Sequence, residues 1–393
     1  MKRIFFMVLI WIASGGYVAL AQDASDPGLP AGYWALPLPA QGQAPESWSA
    51  IEARIDPPSC AECHEDKYKE WRGSFHSRAF SPGLVGQLLT YSKQDAQSCM
   101  NCHAPLAEQA EAFEAARRQD VGHRSEDQGI AASGVSCAGC HVRGHARFGP
   151  PQRDSGVVGM GDPESPHGGV LRTQDFERSE FCAACHQFPL DQAVNGKPLE
   201  NTVEEWKASP QGKNGQTCQS CHMPQRQHAW RGIHDPKMTA SGLTATTQSL
   251  ADKVVFMVAN TGVGHAFPTY VTPVAVLHAV LLDEKDQPIM SSETTYVIHR
   301  RVDYLGDAWV ETADTRLLPG QTARVEIAWG EARKARVWLE VRPDEYYHQA
   351  VYSSLLNDLP GDSQARLLIS RADDQAQASV YALFETTVER RAR

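Results

Sequence analysis

Apolar and polar residues follow different patterns along the 393 residues of the chain. Residues 4–12 form an unbroken apolar run behind Lys2 and Arg3, and Ala19 and Ala21 follow at small-x-small spacing. A positive head, a short apolar core and such a site are typical of a cleaved secretory signal peptide, here residues 1–21. The apolar core is too short to favour a retained membrane anchor. We therefore expect an exported mature chain without a membrane span, in the periplasm or, as the alternative, at the cell surface.

Residues 22–50 are rich in Pro, Gly and Ala and predict an extended leader draped over the surface. Residues 51–240 show little regular periodicity. The clearest helix is the Ala- and Glu-rich stretch 106–119, which Pro105 introduces. Residues 144–170 carry many Gly and Pro and are expected to be loop. This region predicts a mostly α-helical or irregular domain.

A third pattern begins near residue 249, where short runs rich in β-branched residues alternate with turn signals. The predicted strands are 254–258, 274–282, 294–299, 323–329, 335–341 and 379–384. Residues 245–393 therefore predict an all-β, sandwich-like domain. The fold class is multidomain, with an α/irregular domain followed by a β domain.

Charge narrows the range of partners. The chain has a formal net charge of −10, and loss of the two basic signal-peptide residues makes the mature chain more acidic still. An acidic surface argues against nucleic acid and favours protein partners with basic docking surfaces. The oligomeric state is left open by the sequence.

All ten cysteines occur in Cys-x-x-Cys-His motifs, numbered here 1 to 5 along the chain. The motifs are Cys60/Cys63/His64, Cys99/Cys102/His103, Cys137/Cys140/His141, Cys182/Cys185/His186 and Cys218/Cys221/His222. Two sulfurs at this spacing on a helical turn can form thioethers with the two vinyl groups of one porphyrin. The adjacent histidine then ligates the iron. The sequence thus predicts five covalently attached haem c groups.

Two other chemistries use Cys-x-x-Cys pairs. In an oxidising compartment the pair can be a disulfide or a redox-active dithiol, and two pairs together can bind zinc. Five pairs, each followed by His and with no cysteine left over, suit neither. The first cysteines of successive motifs lie 39, 38, 45 and 36 residues apart, too few for a conventional core around each cofactor. We therefore expect the porphyrins to supply much of the apolar core and to lie close together.

Two segments resemble a known family. The stretch CAECHEDKYKEWRGSFH joins motif 1 to Trp71-x-x-Ser74-x-His76, and Glu205-Trp206-x-x-Ser209-Pro210 leads into motif 5, which is followed by Met223-Pro224. Both resemble segments of multihaem cytochromes related to cytochrome c-554, over residues 55–235. The resemblance implies bis-histidine haems in close pairs, with distal histidines from distant parts of the chain. Gln211 replaces the histidine in the second unit, and cytochrome c-554 has four haems and no β domain, so only electron transfer carries over.

Ten histidines outside the motifs are candidate sixth ligands. His76 is favoured by its Trp-Ser-His setting. His167 and His265 lie in Gly-rich loops that can approach a flat ring closely. One ligand is expected from the pair His228 and His234, with His234 preferred, and His123 is a further candidate. The remaining histidines, expected to be ordinary residues, are His145, His278, His299 and His348.

Three functions are compatible with this sequence. The leading hypothesis is an electron-transfer relay in a respiratory chain, with every iron six-coordinate. The alternative is a multihaem oxidoreductase, in which one five-coordinate haem acts on nitrite, hydroxylamine, nitric oxide or peroxide. No Cys-x-x-Cys-Lys variant is present, which lowers the enzyme hypothesis. A third hypothesis is a cytochrome that polymerises or forms a cell-surface conduit.

Overall fold

The computed structural model describes residues 26–118, 129–153, 159, 161 and 164–391. The expected signal peptide and His123 lie outside these residues. Within the described chain, no helix is both long enough and apolar enough to cross a bilayer.

The N-terminal part is built from short helices joined by turns and 3-10 segments. The helices are α1 Pro57–Ala61, α2 Glu65–Arg72, α3 Pro82–Leu88, α4 Lys93–His103, α5 Ala107–Arg118, α6 Cys137–His141, α7 Ala183–His186, α8 Thr202–Ala208, α9 Pro210–Lys213, α10 Cys218–His222 and α11 Pro236–Gly242. The expected helix at 106–119 is α5. The expected loop at 144–170 contains part of a small sheet, formed by β1 Val142–Arg143, β2 Ala146–Gly149 and β3 Leu171–Arg172.

Side-chain caps fix where several motif helices begin. The hydroxyls of Ser136 and Thr217 each accept a hydrogen bond from a backbone N–H one turn into α6 and α10. Asp56 caps α1 in the same way, with Pro57 at the first helical position. Such caps satisfy N–H groups that have no partner within the helix. Each of these motifs therefore lies on a helical turn whose start is set by the sequence.

The segment expected as a surface leader is instead packed into the N-terminal part. Tyr33 is 4% exposed and Leu38 is fully buried. The Tyr33 hydroxyl donates a 2.6 Å hydrogen bond to the carbonyl of Cys140 in motif 3. The backbone of Leu38 bonds to Pro105 and Ala107 on either side of Leu106. Apolar residues among the Pro and Gly residues explain the difference, because Tyr33 and Leu38 bury against motif 3 and α5.

The C-terminal part is a sandwich of two antiparallel sheets. Its strands are β4 Leu243–Ser249, β5 Lys253–Asn260, β6 Val274–Leu282, β7 Thr294–Ile298, β8 Arg300–Leu305, β9 Ala308–Asp314, β10 Thr322–Ala328, β11 Lys334–Arg342 and β12 Tyr381–Glu389. One sheet has the order β10-β5-β4 and the other β12-β11-β6-β7, while β8 and β9 form a separate hairpin. Phe256 of β5, Leu277 of β6 and Leu339 of β11 are fully buried in the core between the sheets. The expected α/irregular domain followed by a largely β domain is confirmed.

The C-terminal part is not purely β, however. A π-helical turn, Tyr347–Tyr352, continues into α12 Ser353–Asp358, and α13 Gln364–Ala378 follows. Helix α13 packs on α3 of the N-terminal part, where the Cβ of any residue larger than Gly86 would meet Ile369. Ile369 is fully buried in this contact. The helices therefore attach the β domain to the motif-bearing part, which the all-β expectation did not include.

Candidate haem-binding site

Three of the five motif histidines are oriented by the same kind of backbone contact. In three motifs the Nδ1 atom faces a backbone carbonyl, which fixes the ring and leaves Nε2 available to a metal. The contacts are His103 to Ala79 O at 3.0 Å, His141 to Phe148 O at 2.8 Å and His222 to Arg231 O at 2.7 Å. The same Nδ1 contact occurs in His167 to Gly169 O at 3.3 Å, His228 to Arg226 O at 3.0 Å and His265 to Ala266 O at 2.9 Å.

Three motif histidines each face a histidine from a distant part of the chain. The ring centres are 6.3 Å apart for His76 and His186, 6.2 Å for His141 and His228, and 6.4 Å for His222 and His265. Two imidazoles bound to opposite sides of one metal ion, each through a bond of about 2 Å, have ring centres roughly 6 Å apart. The three pairs therefore fit bis-histidine ligation of an iron between them.

The electrostatics of the non-motif partners suit metal binding. Burial, together with the smaller effects of nearby histidines, lowers the pKa of His76 to about 3. Burial also lowers the pKa of His228 and His265 to about 4. These imidazoles are neutral at physiological pH, which is the form that ligates a metal.

Motifs 1 and 2 have no such ring pair among the described residues. His167 lies close enough to His64 for a charge there to lower its pKa, after the larger effects of burial and Arg147. The backbone N–H of His167 donates a 2.8 Å hydrogen bond to Glu52. For His103, the candidate His123 falls outside the described chain. The structure thus brings His167 towards motif 1 and sets no described histidine opposite motif 2.

His234, the member of its pair that the sequence favoured, is engaged elsewhere. Its Nε2 lies 2.9 Å from Asp344 Oδ2, and its ring stacks on Phe75 at 4.1 Å between centres. The nitrogen that would bind a metal is therefore already hydrogen-bonded. His228 keeps Nε2 free and lies opposite His141, so the geometry favours His228 over His234. The glycine before His234 gave no information about which nitrogen would be free.

The Trp-Ser-His segment is locked to the residues that precede motif 3. Trp71 donates from its indole nitrogen to the carbonyl of Val135 at 2.8 Å, and the Ser74 hydroxyl donates to Trp71 O at 2.6 Å. The Val135 N–H in turn donates to the carbonyl of His76 at 2.8 Å. These bonds join the His76 backbone to the chain two residues before Cys137. The tryptophan and serine of this segment thus have a structural task, which is to hold His76 in place.

Replacing Gly134 by alanine is expected to displace His76. A Cβ at Gly134 would collide with the carbonyl of His76 and the backbone nitrogen of Ala79. Overpacking against backbone atoms costs about 1–3 kcal/mol. We expect Gly134→Ala to lower the free energy of unfolding by that amount and to shift His76 away from His186, which the absorption spectrum of the haem-loaded protein should report. Gly73→Ala is the matched control, because its new Cβ would meet nothing closer than 3.5 Å. Equal effects of the two substitutions in denaturant titrations would contradict this account.

The second Trp-x-x-Ser unit repeats the same local contacts without a histidine. Trp206 donates to Gln216 O at 2.8 Å, two residues before Cys218, and the Ser209 hydroxyl donates to Trp206 O at 2.6 Å. Gly264 packs here, where a Cβ would lie 3.2 Å from Gln211 and 3.4 Å from Trp206. The next residue is His265. The β domain therefore delivers its histidine to motif 5 over the unit in which Gln211 replaces histidine.

A buried ion network supports the His265 loop, and sequence reasoning did not identify it. Glu205 Oε2 accepts the backbone N–H of Ala266 at 3.0 Å, while Glu205 Oε1 lies 3.2 Å from Arg316. Arg316 also pairs with Asp314 at 2.9 Å and is 7% exposed. Burial alone would raise the pKa of Asp314, but hydrogen bonds from Arg316 and Lys197 hold it well below its usual range. The Glu205-Trp206 pair had been noted only as part of a resemblance.

The motif sulfurs lie next to one another rather than in disulfides, since every cysteine is free. Thiols of different motifs lie close enough to interact, and this interaction, with burial, raises the pKa of one thiol in each pair. The pairs are Cys60 with Cys137, Cys102 with Cys185 and Cys182 with Cys218. Motif 4 thus adjoins motifs 2 and 5, and motif 1 adjoins motif 3. A charge at Cys140 of motif 3 also contributes to the raised pKa of Cys182 and Cys185, after the thiol contacts and burial.

Two of the predicted attachment cysteines differ from the rest in exposure. Cys63 of motif 1 and Cys221 of motif 5 are exposed, whereas the other eight cysteines are half-buried. In both motifs the first cysteine turns inwards, since Cys60 contacts the thiol of motif 3 and Cys218 that of motif 4. Helices α1 and α10 are only five residues long, and none of the residues of α10 is buried. Cys63 and Cys221 are therefore the two most exposed of the predicted attachment cysteines.

Aromatic rings fill the space around the histidines. Trp230 lies 4.6 Å from His76 and 5.0 Å from His228, measured between ring centres, and so bridges the partners of motifs 4 and 3. Phe176 stacks on His141 at 5.1 Å. Neither ring was predicted to take part. No group of three or more His, Cys, Asp or Glu side chains placed to hold a metal ion occurs in the described chain, as a protein-only zinc site would require.

The chain resembles known multihaem cytochromes in part of its sequence and in its fold. The family described as cytochrome c554 and c-prime matches residues 59–142. Curated proteins gave no match. Among solved structures, a penta-heme cytochrome c552 from Thermochromatium tepidum aligns with a TM-score of 0.55 and 20% identity, covering 81% of this chain and 96% of that one. At this identity the likeness shows the fold. The chain is therefore similar to multihaem c-type cytochromes related to cytochrome c554, with a C-terminal β domain, and the resemblance drawn from its sequence is confirmed.

Proposed function

We propose that this protein is an exported pentahaem c-type cytochrome that relays electrons between protein partners in a respiratory chain. Each motif would hold one haem c through two thioethers, and haems 1 to 5 take the numbers of their motifs. The observation that carries the proposal is the set of three histidine pairs. In each, a motif histidine faces a distant histidine at the spacing that one iron requires.

The axial ligands follow from these contacts. We assign His141 and His228 to haem 3, His186 and His76 to haem 4, and His222 and His265 to haem 5. His64 with His167 is the proposed set for haem 1. The motif ligand of haem 2 is His103, and His123 stays a prediction for its sixth ligand. Two imidazoles give a lower potential than His with Met, so a low-potential relay is expected.

The haem irons supply one-electron Fe(III)/Fe(II) chemistry when bound. The residues of this chain would position the haems and shield the irons. The paired histidines of motifs 3, 4 and 5 would hold an iron between them and so exclude small ligands from it. The sulfurs of motifs 1 and 3, 2 and 4, and 4 and 5 lie next to one another, which supports short distances between the corresponding haems. Haem 4 would have two such neighbours, haems 2 and 5, and would also lie near motif 3.

A relay makes a kinetic prediction. After a pulse of reductant that delivers less than one electron per chain, the electron is expected to redistribute among the haems within one molecule. Stopped-flow absorbance should therefore show a redistribution rate that does not depend on protein concentration. A rate proportional to protein concentration would mean that exchange occurs between molecules, and the proposed internal relay would be wrong.

A second candidate is catalysis at haem 2, where two buried tyrosines, Tyr270 and Tyr347, lie near Cys99. Burial raises the pKa of both hydroxyls, that of Tyr347 to about 12, and Cys99 adds to the shift. A five-coordinate haem 2 beside such donors would bind nitrite, hydroxylamine, nitric oxide or peroxide. Adding nitrite or cyanide to the ferric protein separates the candidates, because only an open haem changes its spectrum.

Compartment and partners are part of the proposal. Cleavage after Ala21 would release the mature chain into the periplasm, or onward to the cell surface. The negative charge of the chain favours donors and acceptors with basic docking surfaces, so association rates should fall as salt is added.

A further inference from the structure

Glu200 is a buried carboxylate beside the motif histidine of haem 4. Its residue is 9% exposed, and its Oε1 lies 3.6 Å from Nδ1 of His186. The other Nδ1 contacts of the motif histidines go to neutral backbone carbonyls, as given above for His103, His141 and His222. His186 therefore differs from these three in having a negative charge at the position where they have a dipole.

Contacts from both domains hold Glu200 in this position. The Thr202 hydroxyl donates to Glu200 Oε1 at 2.6 Å, and it also bonds at 2.6 Å to the hydroxyl of Thr269 from the β domain. The backbone carbonyl of Glu200 accepts the N–H of Phe188 at 2.8 Å. In the part of the chain that the structure describes, no Lys or Arg forms an ion pair with Glu200. Its charge is thus both fixed in place and not neutralised by a basic side chain.

The physical effect of such a charge has a definite sign. Oxidation of a haem iron adds one positive charge, and a nearby anion stabilises that state over the reduced one. At 3.6 Å from Nδ1 the carboxylate is too far away for a hydrogen bond, so it acts through its charge. Charge around the iron ligands is among the means by which proteins set haem potentials. The charge of Glu200 therefore lowers the reduction potential of the haem that His186 would hold.

We propose that Glu200 makes haem 4 the lowest-potential haem of the relay by fixing a negative charge beside His186. The inference rests on the proposed function, because it needs a haem at motif 4. The redox step is the transfer of one electron between Fe(III) and Fe(II), with no bond formed or broken. Since motif 4 adjoins motifs 2, 3 and 5, an electron that reaches haem 4 passes on to its neighbours instead of remaining there. Glu200 thus acts through His186 as a positioning residue, and haem 4 passes electrons to more than one neighbouring haem.

The test is a spectropotentiometric titration of the full-length holoprotein. Glu200→Gln removes the charge and keeps the shape. We expect the potential of one haem in five, the lowest in the wild-type protein, to shift upward, together with a change in the low-spin EPR signal of that haem. Glu180→Gln is the matched control, because Glu180 lies two residues before Cys182 and is exposed. The control should leave all five potentials in place.

Two results would overturn the inference. One is an unchanged lowest potential in Glu200→Gln, and the other is an equal shift in Glu180→Gln, which would indicate a general effect of net charge. Should Glu200→Gln fail to incorporate all five haems, Glu200→Asp keeps the charge but withdraws it from His186. A smaller upward shift of the same haem is then expected, and no shift overturns the inference. The wild-type haem count and titration test the proposed function separately.

Discussion

Replacing His228 by alanine should convert about one haem in five from low-spin to high-spin, whereas replacing His234 should convert none. His228 presents a free Nε2 to motif 3, because its Nδ1 faces Arg226 O at 3.0 Å. His234 uses its Nε2 to bond Asp344 at 2.9 Å. Loss of one axial imidazole opens a position on the iron, so the ferric absorption and EPR spectra report the change.

The two substitutions are matched, since both histidines lie in the segment that follows motif 5 and each loses the same atoms. Added cyanide should bind the opened haem in His228→Ala and leave His234→Ala unchanged. If His234→Ala produced the high-spin haem and His228→Ala did not, the assignment made from ring spacing would be wrong, and the choice made from the sequence would be right.

Replacing Arg316 by leucine should lower the free energy of unfolding by about 3–5 kcal/mol, because it leaves the buried Glu205 carboxylate without its cationic partner and Asp314 with Lys197 alone. Glu205 and Asp314 both face this guanidinium, at 3.2 Å and 2.9 Å. Glu205 also holds the backbone N–H of Ala266, so the loop of His265 is expected to loosen. Denaturant unfolding of the holoprotein measures the first effect, and the low-spin signal of haem 5 measures the second.

The size of this effect should depend on pH. In the wild-type protein Arg316 helps to hold the pKa of Asp314 below its usual range. This shift stabilises the fold at pH values above about 4, the pKa of an unfolded aspartate, and the stabilisation is lost as the pH falls through the lower pKa of the folded state. Burial already raises the pKa of Glu205, and loss of Arg316 should raise it further. Because a raised carboxyl pKa means that the charged form is disfavoured in the folded state, Glu205 destabilises the variant at pH values above about 4. The difference between variant and wild type should therefore narrow towards pH 4.

Arg301→Leu is the control for this prediction. Arg301 forms an ion pair of similar length, 2.9 Å to Asp303, but its side chain is 61% exposed. Exposed pairs contribute about 0–1 kcal/mol, so the control should unfold close to wild type at every pH. A loss in Arg301→Leu as large as that in Arg316→Leu would show that burial of the network does not matter.

Strands that bury many side chains could be predicted from the sequence. Strand β6 was predicted with its observed bounds, 274–282, because most of its residues are apolar. Strand β4 was missed, since in its sequence LTATTQS only Leu243 is buried. Helix α13 was also missed, although Ala365, Ile369, Ala372 and Ala376 follow a helical period. The expectation of a purely β domain led away from that pattern.

Some residues of the candidate site could be identified from their neighbours in the sequence, and others only from contacts between distant parts of the chain. The attachment motifs could be read directly because Cys-x-x-Cys-His is complete within five residues. His76 and His265 could be suggested by their local settings. The choice of His228 over His234 could not, because it depends on Asp344, more than a hundred residues away. The same holds for exposure, because motifs 1 and 5 have the same pattern as the others and only the fold leaves their second cysteine at the surface. Glu200 and Arg316 act through contacts between domains, and no spacing in the sequence marks them.

The most direct test of the central claim is the ferric EPR spectrum of the purified protein, with spins counted against total haem. The account predicts five haems per chain and low-spin signals of bis-histidine ligation that account for all of them. A single high-spin haem in five would favour the second candidate function, catalysis at haem 2. Fewer than three low-spin haems would contradict the histidine pairs, and with them the proposed relay.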